Sequence, residues 1–117
     1  KEAVVHQNYK DRIVKAKDID SAVTGRSHGH PVRCLRNQMT REYNRLEAEG
    51  KSFEELEYLT LGSLRKAVQE GDITNGTVMA GQIASVIHDI KSCREVVEEM
   101  ETECVKLMRD MAERYGR

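Results

Sequence analysis

Apolar residues recur at three- and four-residue steps through most of this chain, and only two stretches break the pattern. This spacing places apolar side chains on one face of a helix. The interruptions are residues 24–31 and 71–82, and both are rich in glycine. The sequence therefore predicts a mainly α chain in which the two irregular stretches are the places for ligand contact.

Helix boundaries follow from capping and turn residues. Pro31 suits the first position of a helix, where its missing N–H costs nothing, and Gly50 suits the position after the last turn. Ser52 and Ser92 are each followed three residues later by Glu, which is the capping-box pattern. β-Branched residues over 19–24 predict a short strand or an extended link. Helices are thus expected over 3–16, 31–50, 52–71 (divided near Gly62), 83–90 and from 92 onward.

The chain has 117 residues and a formal net charge of −1. That length permits one domain with a modest core, and the neutral charge argues against a protein that coats nucleic acid. No run of about 18 apolar residues predicts a membrane span, and no secretory signal is visible. Three cysteines without a CxxC pair indicate a reducing, cytoplasmic compartment. Cys93 and Cys104 are predicted to be buried on an apolar helix face.

The first irregular stretch combines Gly25 and Gly29 with the helix start predicted at Pro31. Unpaired N–H groups there would suit an anion. A local basic patch follows, which favours a phosphate-bearing ligand or an acidic partner. The alternative is a solvated helix face whose arginines pair with Glu. RNA binding finds support in this patch alone, because the few aromatic residues are scattered. The patch consists of Arg26, Arg33, Arg36, Arg41 and Arg45.

His28 and His30, with Cys34 four residues on, permit a zinc interpretation, but no spacing rule supplies the remaining ligands. A Cys–His nucleophilic pair lacks an orienting third group. We therefore predict neither a metal site nor a catalytic residue in these 117 residues.

The second stretch contains a small-residue turn over 76–82 that leads into an apolar segment. Small residues let a backbone press against a flat ring, and the Gln82 amide both donates and accepts hydrogen bonds. Met79, Ala80, Gly81 and Gln82 are therefore candidate cofactor contacts. The alternative is close helix packing at Gly81 with Gln82 on the surface.

Several short motifs occur in an order that resembles one known family. The chain is similar to the C-terminal third of the flavin-dependent enoyl-acyl-carrier-protein reductases of bacterial fatty-acid synthesis. These reductases lie within the nitronate monooxygenase (2-nitropropane dioxygenase) family, and the resemblance covers essentially the whole chain. The motifs are Val5-His6-x-x-Tyr9-Lys10, Thr24-Gly25-Arg26, Gly29-His30-Pro31-Val32-Arg33, Gly62 to Val68, Gly71-Asp72-Ile73, Gly76, Met79-Ala80-Gly81-Gln82 and Ile90-Lys91-Ser92-Cys93.

The resemblance implies a parent with a (β/α)₈ (TIM) barrel and an added helical part. A barrel needs about 250 residues, so this chain is expected to be a fragment without the barrel strands. The absent initiator Met fits that expectation. Residues 1–17 would be the last barrel-type helix and 18–31 an extended link and loop. Residues 32–117 would be a helical C-terminal region with a cofactor-facing turn at 76–82.

The resemblance also implies a function for the parent. Hydride would pass from NADH or NADPH to FMN and then to the β-carbon of an enoyl thioester on acyl carrier protein. Met79 to Gln82 would lie beside the flavin, and Gly29, His30 and Arg33 would contact substrate or a phosphate. The parent is expected to be a homodimer. The fragment alone is expected to be inactive, and partly molten or self-associating.

Two alternatives stay open at this point. One is a nitronate monooxygenase of the same family, with the same cofactor and a different substrate. The other is a non-enzymatic helical module that pairs with another helix through an a/d-type seam. The choice between NADH and NADPH, the acyl chain length and any cation requirement also stay open. The seam residues are Cys93, Val97, Met100, Cys104, Leu107 and Met111.

Overall fold

The computed structural model describes residues 1–116, and its backbone is mainly helical with one two-stranded antiparallel sheet. It divides into two units, Val4–Asp89 and a second unit in which residues 1–3 join the segment that starts at Ile90. The elements are α1 (Gln7–Val14), a 3₁₀ turn (Asp18–Asp20), β1 (Ser21–Thr24), β2 (Val32–Leu35), α2 (Gln38–Ala48), α3 (Phe53–Thr60), α4 (Ser63–Arg65), a π-helical turn (Lys66–Glu70), a second 3₁₀ turn (Gln82–Val86) and α5 (Cys93–Tyr115).

The two predicted capping boxes are confirmed. The Ser52 side chain accepts a hydrogen bond from the backbone N–H of Glu55, and α3 begins there. Ser92 caps α5 in the same way, with its own N–H donated to the Glu95 carboxylate at 2.6 Å. Each box satisfies two backbone N–H groups that the first turn leaves without partners.

The helix predicted from Pro31 is wrong over its first turns. Residues 32–35 form β2, which pairs with β1 in a register that joins Ser21 to Leu35 and Thr24 to Val32. Gly25 and Gly29 take positive φ angles of 72° and 75° and turn the chain back. α2 begins only at Gln38, because Asn37 supplies the cap. Of the short strand or extended link predicted over 19–24, residues 21–24 form β1, whereas residues 19 and 20 belong to the first 3₁₀ turn.

The core of the Val4–Asp89 unit lies around β2 and α2. Leu35 and Leu56 are each 1% exposed. Burying a side chain of this size contributes about 2 kcal/mol. One cluster packs α1 against β2 and the later turns, and the second joins α2 to α3. Their buried members are Tyr9, Ala16, Leu35, Ala67, Val78 and Ala84 in the first and Met39, Tyr43 and Leu56 in the second.

The apolar helix predicted over 83–90 is also wrong. Only a 3₁₀ turn forms over Gln82–Val86, and Ile83 is 67% exposed. Gly81 precedes this turn without a capping side chain, and Ile87 is already extended.

The relation of residues 1–17 to a barrel stays a prediction.

α5 dominates the second unit. The N-terminal ammonium of Lys1 donates to the Lys91 carbonyl, and the Cys93 N–H donates to Glu2 at 3.0 Å. Contrary to prediction, Cys93 and Cys104 are exposed. The reason is that the seam needs a second helix, whereas the other described part of this unit near α5 is a three-residue segment. No helix within residues 1–116 is both long and apolar enough to cross a membrane.

Candidate functional site

The predicted cofactor turn runs along β2 as a short extended segment. Leu35 donates its N–H to the Val78 carbonyl at 2.8 Å, and Ala80 donates to the Arg33 carbonyl at 3.4 Å. Cys34 and Met79 form an antiparallel bridge between these bonds. β2 is thus paired on both edges, with β1 on one side and residues 78–80 on the other.

Side chains alternate along this segment as in any strand. Val78 is 1% exposed and joins the core, whereas Met79 is 42% exposed. Ala80 is half-buried, and Gly81 and Gln82 are exposed. The backbone at Met79 is therefore held by β2, and its side chain is partly exposed next to the exposed residues Gly81 and Gln82.

Tyr9 supports the segment from α1. Its hydroxyl donates to the Met79 carbonyl at 2.6 Å. Burial raises the pKa of Tyr9, although the bond to Met79 opposes the rise. The phenol is therefore a protonated donor at neutral pH. No site role was predicted for Tyr9, and its place on the buried stripe of α1 is the sequence signal for one.

Asn37 fixes the beginning of the segment. Its side-chain NH₂ donates to the carbonyls of Ile73 and Gly76, at 2.9 and 2.7 Å. Its carbonyl oxygen accepts from Thr40 at the start of α2. Both the NH₂ group and the carbonyl oxygen of the Asn37 side chain therefore have hydrogen-bond partners within the protein. Asn37 was not predicted as a cap, because the helix was expected to begin at Pro31, seven residues before Gln38.

Two further contacts hold the turn that leads to Met79. The hydroxyls of Ser63 and Thr77 lie 2.6 Å apart, and the Thr77 N–H donates to the Ser63 carbonyl. A Cβ on Gly76 would lie 2.5 Å from the Asp72 carbonyl oxygen and 2.6 Å from the Ala67 nitrogen. Only glycine fits at this position.

Gly81 lies in a different environment. A Cβ there would meet nothing closer than Ile83, at 4.0 Å. Among residues 1–116, the close packing at Gly81 that the alternative predicted is therefore absent, whereas Gln82 is exposed, as that alternative also predicted. The exposed backbone beside Met79 has room for a flat group on its outer side.

The β1–β2 loop carries the predicted phosphate contacts Gly29 and His30. Both are exposed, and the His30 ring lies 5.2 Å from that of Phe53 between centroids. Because residues 32–35 form a strand, no helix N-terminus follows this loop, and that part of the anion prediction is wrong. Arg33 lies on β2 and donates to the Ser21 hydroxyl at 3.0 Å.

Glu47 of α2 anchors the same loop. Its carboxylate accepts from the Ser27 N–H at 2.9 Å, the Ser27 hydroxyl at 2.6 Å and the Gly25 N–H at 3.2 Å. Burial alone raises the pKa of Glu47, but the hydrogen bonds from Ser27 and Gly25 outweigh it, so the pKa lies below its usual value. The ionised carboxylate holds the loop in one conformation.

The structure brings some predicted residues together and separates others. Arg33 pairs with Ala80 across neighbouring strands, whereas Gly29 and His30 lie in the loop beyond the strand end. Cys34 is fully buried between its two partner strands, and burial raises its pKa. The His28 Nε2 lies 2.9 Å from the Lys51 carbonyl. Within residues 1–116 no three His, Cys, Asp or Glu side chains are grouped to hold a metal ion.

Comparison with known proteins supplies the family. The family model described as nitronate monooxygenase matches residues 1–103. The fold is similar to the structure of FabK from Thermotoga maritima, with a TM-score of 0.78 and 39% identity over 91% of this chain and 34% of that one. A second structure, of a methionine-to-alanine mutant of Thermotoga maritima FabK, gives a TM-score of 0.74 and 34% identity, covering 94% and 31%.

This chain thus spans about a third of the length of the solved structures it matches. The search of curated proteins found no match. A match over residues 1–103 covers most of the sequence, and the chain belongs to the nitronate monooxygenase family.

Proposed function

We propose that this chain forms part of a flavin-dependent enoyl-acyl-carrier-protein reductase. The observation that carries the proposal is the 39% identity to FabK over 91% of the chain. The substrate partner in this proposal is an enoyl thioester on acyl carrier protein, and the full-length enzyme is a homodimer. When bound, FMN supplies hydride transfer from NADH or NADPH to the β-carbon of the enoyl group.

The residues from Met79 to Gln82 fit one side of a flavin. Their backbone is fixed by Leu35 and Tyr9, and their outer surface is accessible. In the proposal, Met79, Ala80 and Gly81 lie against the ring, and Gln82 reaches its polar edge. An amide suits that edge, because it donates and accepts at once.

Gly29, His30 and Arg33 are proposed contacts for substrate or a phosphate. Gly29 has no atom within 4 Å of the position that a Cβ would take, so the loop backbone is open to a ligand. Arg33 uses one terminal nitrogen for Ser21, which leaves its other donors for a ligand.

The test uses a full-length enzyme that carries this sequence. We expect NAD(P)H oxidation with crotonyl thioester, and Gln82→Ala should lower kcat/KM about tenfold, the effect of one lost hydrogen bond. Gln69→Ala is the matched control, because Gln69 is exposed in the π-helical turn. Equal effects of the two substitutions would contradict the assigned role of Gln82.

The second candidate is a nitronate monooxygenase, which the description of the matching family favours. The same enzyme should then oxidise an alkyl nitronate and leave the crotonyl thioester unreduced. That result would replace the reductase proposal.

The isolated 117-residue chain should bind FMN weakly and reduce no enoyl substrate. The reason is that Met79 to Gln82 cover only one side of a ring. Flavin fluorescence titration of the purified chain measures this, and a dissociation constant near 1 μM, about −8 kcal/mol, would contradict it.

A further inference from the structure

An open cleft of about 450 Å³ is lined by residues of β1 and of the first turns of α2. Arg36, Arg41 and Arg45 line it, together with Val23 of β1 and further residues of both elements. None of the described residues that line the cleft is acidic. Since residues 78–80 pair with the opposite edge of β2, the cleft is separate from the proposed flavin site.

The three arginines differ in how their charges are used. The Arg45 guanidinium donates to Glu42 at 2.8 Å and to Glu49 at 2.5 Å, so its charge is balanced and its position fixed. Arg36 donates through Nε to the Ser21 carbonyl at 3.2 Å, which leaves both terminal nitrogens without a partner among residues 1–116. The Arg41 side chain forms no hydrogen bond or ion pair with any described residue.

Two uncompensated guanidinium groups therefore face one concave surface. A guanidinium presents parallel N–H donors that match the oxygens of a phosphate, and such charge-assisted bonds are the stronger class of hydrogen bond. The volume lies within the range of small-molecule sites, and Val23 offers an apolar wall to the rest of a ligand.

We propose that this cleft binds the phosphate group of a small phosphate ester, with Arg36 and Arg41 as its direct ligands. Arg45 also lines the cleft, but two carboxylates already hold its guanidinium group. The proposal does not depend on the proposed flavin function, because its test measures phosphate binding and not hydride transfer. A negative result in the reductase assay would therefore not contradict the phosphate proposal.

The test is calorimetric titration of the full-length protein that carries this sequence, saturated with FMN, with inorganic phosphate, glycerol 3-phosphate and adenosine 5′-monophosphate. We expect saturable binding of inorganic phosphate in the millimolar range, about −4 kcal/mol. Tighter binding of glycerol 3-phosphate or of the nucleotide supports the proposal and assigns the ester to the non-nucleotide or the nucleotide class.

Arg41→Gln should weaken phosphate binding about tenfold, and Arg36→Gln should do the same. Arg65→Gln is the matched control. It removes the same charge from an exposed side chain of α4 that has no partner among the described residues. Binding by this variant should stay within about twofold of the parent chain.

Three outcomes would overturn the proposal. One is an equal loss in Arg41→Gln and Arg65→Gln, which would show general electrostatic attraction. Another is the absence of saturable binding up to about 50 mM phosphate. The third is binding of a glutamate-rich peptide without binding of phosphate, which would make the cleft a surface for an acidic protein.

Discussion

At the scale of single residues, the hydroxyl of Tyr9 links α1 to the segment that carries Met79. Tyr9→Phe removes this donor and leaves the Met79 carbonyl without its partner. Such a loss costs about 1–3 kcal/mol. We expect the free energy of unfolding to fall by about that amount in urea titrations.

Tyr58→Phe is the control, because this tyrosine is 66% exposed and its hydroxyl has no partner among residues 1–116. Its effect should stay within about 0.5 kcal/mol. A Tyr9→Phe variant as stable as the Tyr58→Phe variant would mean that the bond to Met79 contributes nothing.

Gly76 and Gly81 border the same segment, but they differ in the space around them. Gly76→Ala forces a Cβ against the Asp72 carbonyl and the Ala67 backbone, so we expect a loss of about 1–3 kcal/mol. Gly81→Ala meets no close atom, and φ at Gly81 is −72°, so it should be neutral or stabilise by up to about 1 kcal/mol. Thermal unfolding compares the pair, and equal losses would contradict the packing at Gly76.

At the scale of elements, Glu47 joins α2 to the β1–β2 loop. Its pKa is lower in the folded protein than the usual value of 4.5, so the ionised form stabilises the fold. This contribution is complete above pH 4.5 and is lost as the pH falls through the lowered pKa. We expect Glu47→Gln to be less stable than the parent chain at pH 6, and the difference to shrink below pH 4.5.

Urea midpoints measured from pH 6 to pH 3 test this expectation. Glu57→Gln is the control, because Glu57 is exposed and its side chain has no partner among the described residues. If the difference between the parent and Glu47→Gln were constant over this range, the carboxylate would not be the group that holds the loop.

The elements also show how far sequence patterns reach. Ser52 and Ser92 were found because a capping box is a local signal spanning three residues. β2 was missed, because Val32 and Leu35 are spaced as in a helix and their pairing with β1 and Val78 is non-local. The small residues from Met79 onward predict a candidate site there, and its cofactor role stays a prediction.

Other parts of the candidate site lay outside what local patterns report. The contacts that Asn37 and Glu47 make with other elements join residues that are 20 to 39 positions apart. No spacing rule in one sequence links such pairs. A helix over 31–50 would place Arg33 one turn from Arg36 on the same face. In the structure Arg33 instead lies on β2 and donates to Ser21, and it does not line the cleft of Arg36 and Arg41.

At the scale of the whole molecule, α5 leaves an apolar seam uncovered. Met100 and Leu107 are 67% and 60% exposed, and the steps between seam residues are those of a two-helix interface. Exposed apolar stripes of this kind drive association in water. We therefore expect the isolated chain to self-associate, with an average mass in sedimentation equilibrium that rises with concentration.

Leu107→Lys places a charge in the seam and removes apolar area worth about 2 kcal/mol, so it should weaken association more than tenfold. Val105→Lys adds the same charge on another face of α5, where 43% of the side chain is exposed, and should leave association within about threefold. Both variants add one positive charge to the same helix. A difference in self-association between them therefore measures the contribution of the seam. A parent chain that stays monomeric at all concentrations would show that the spacing of these residues does not encode pairing between copies of this chain.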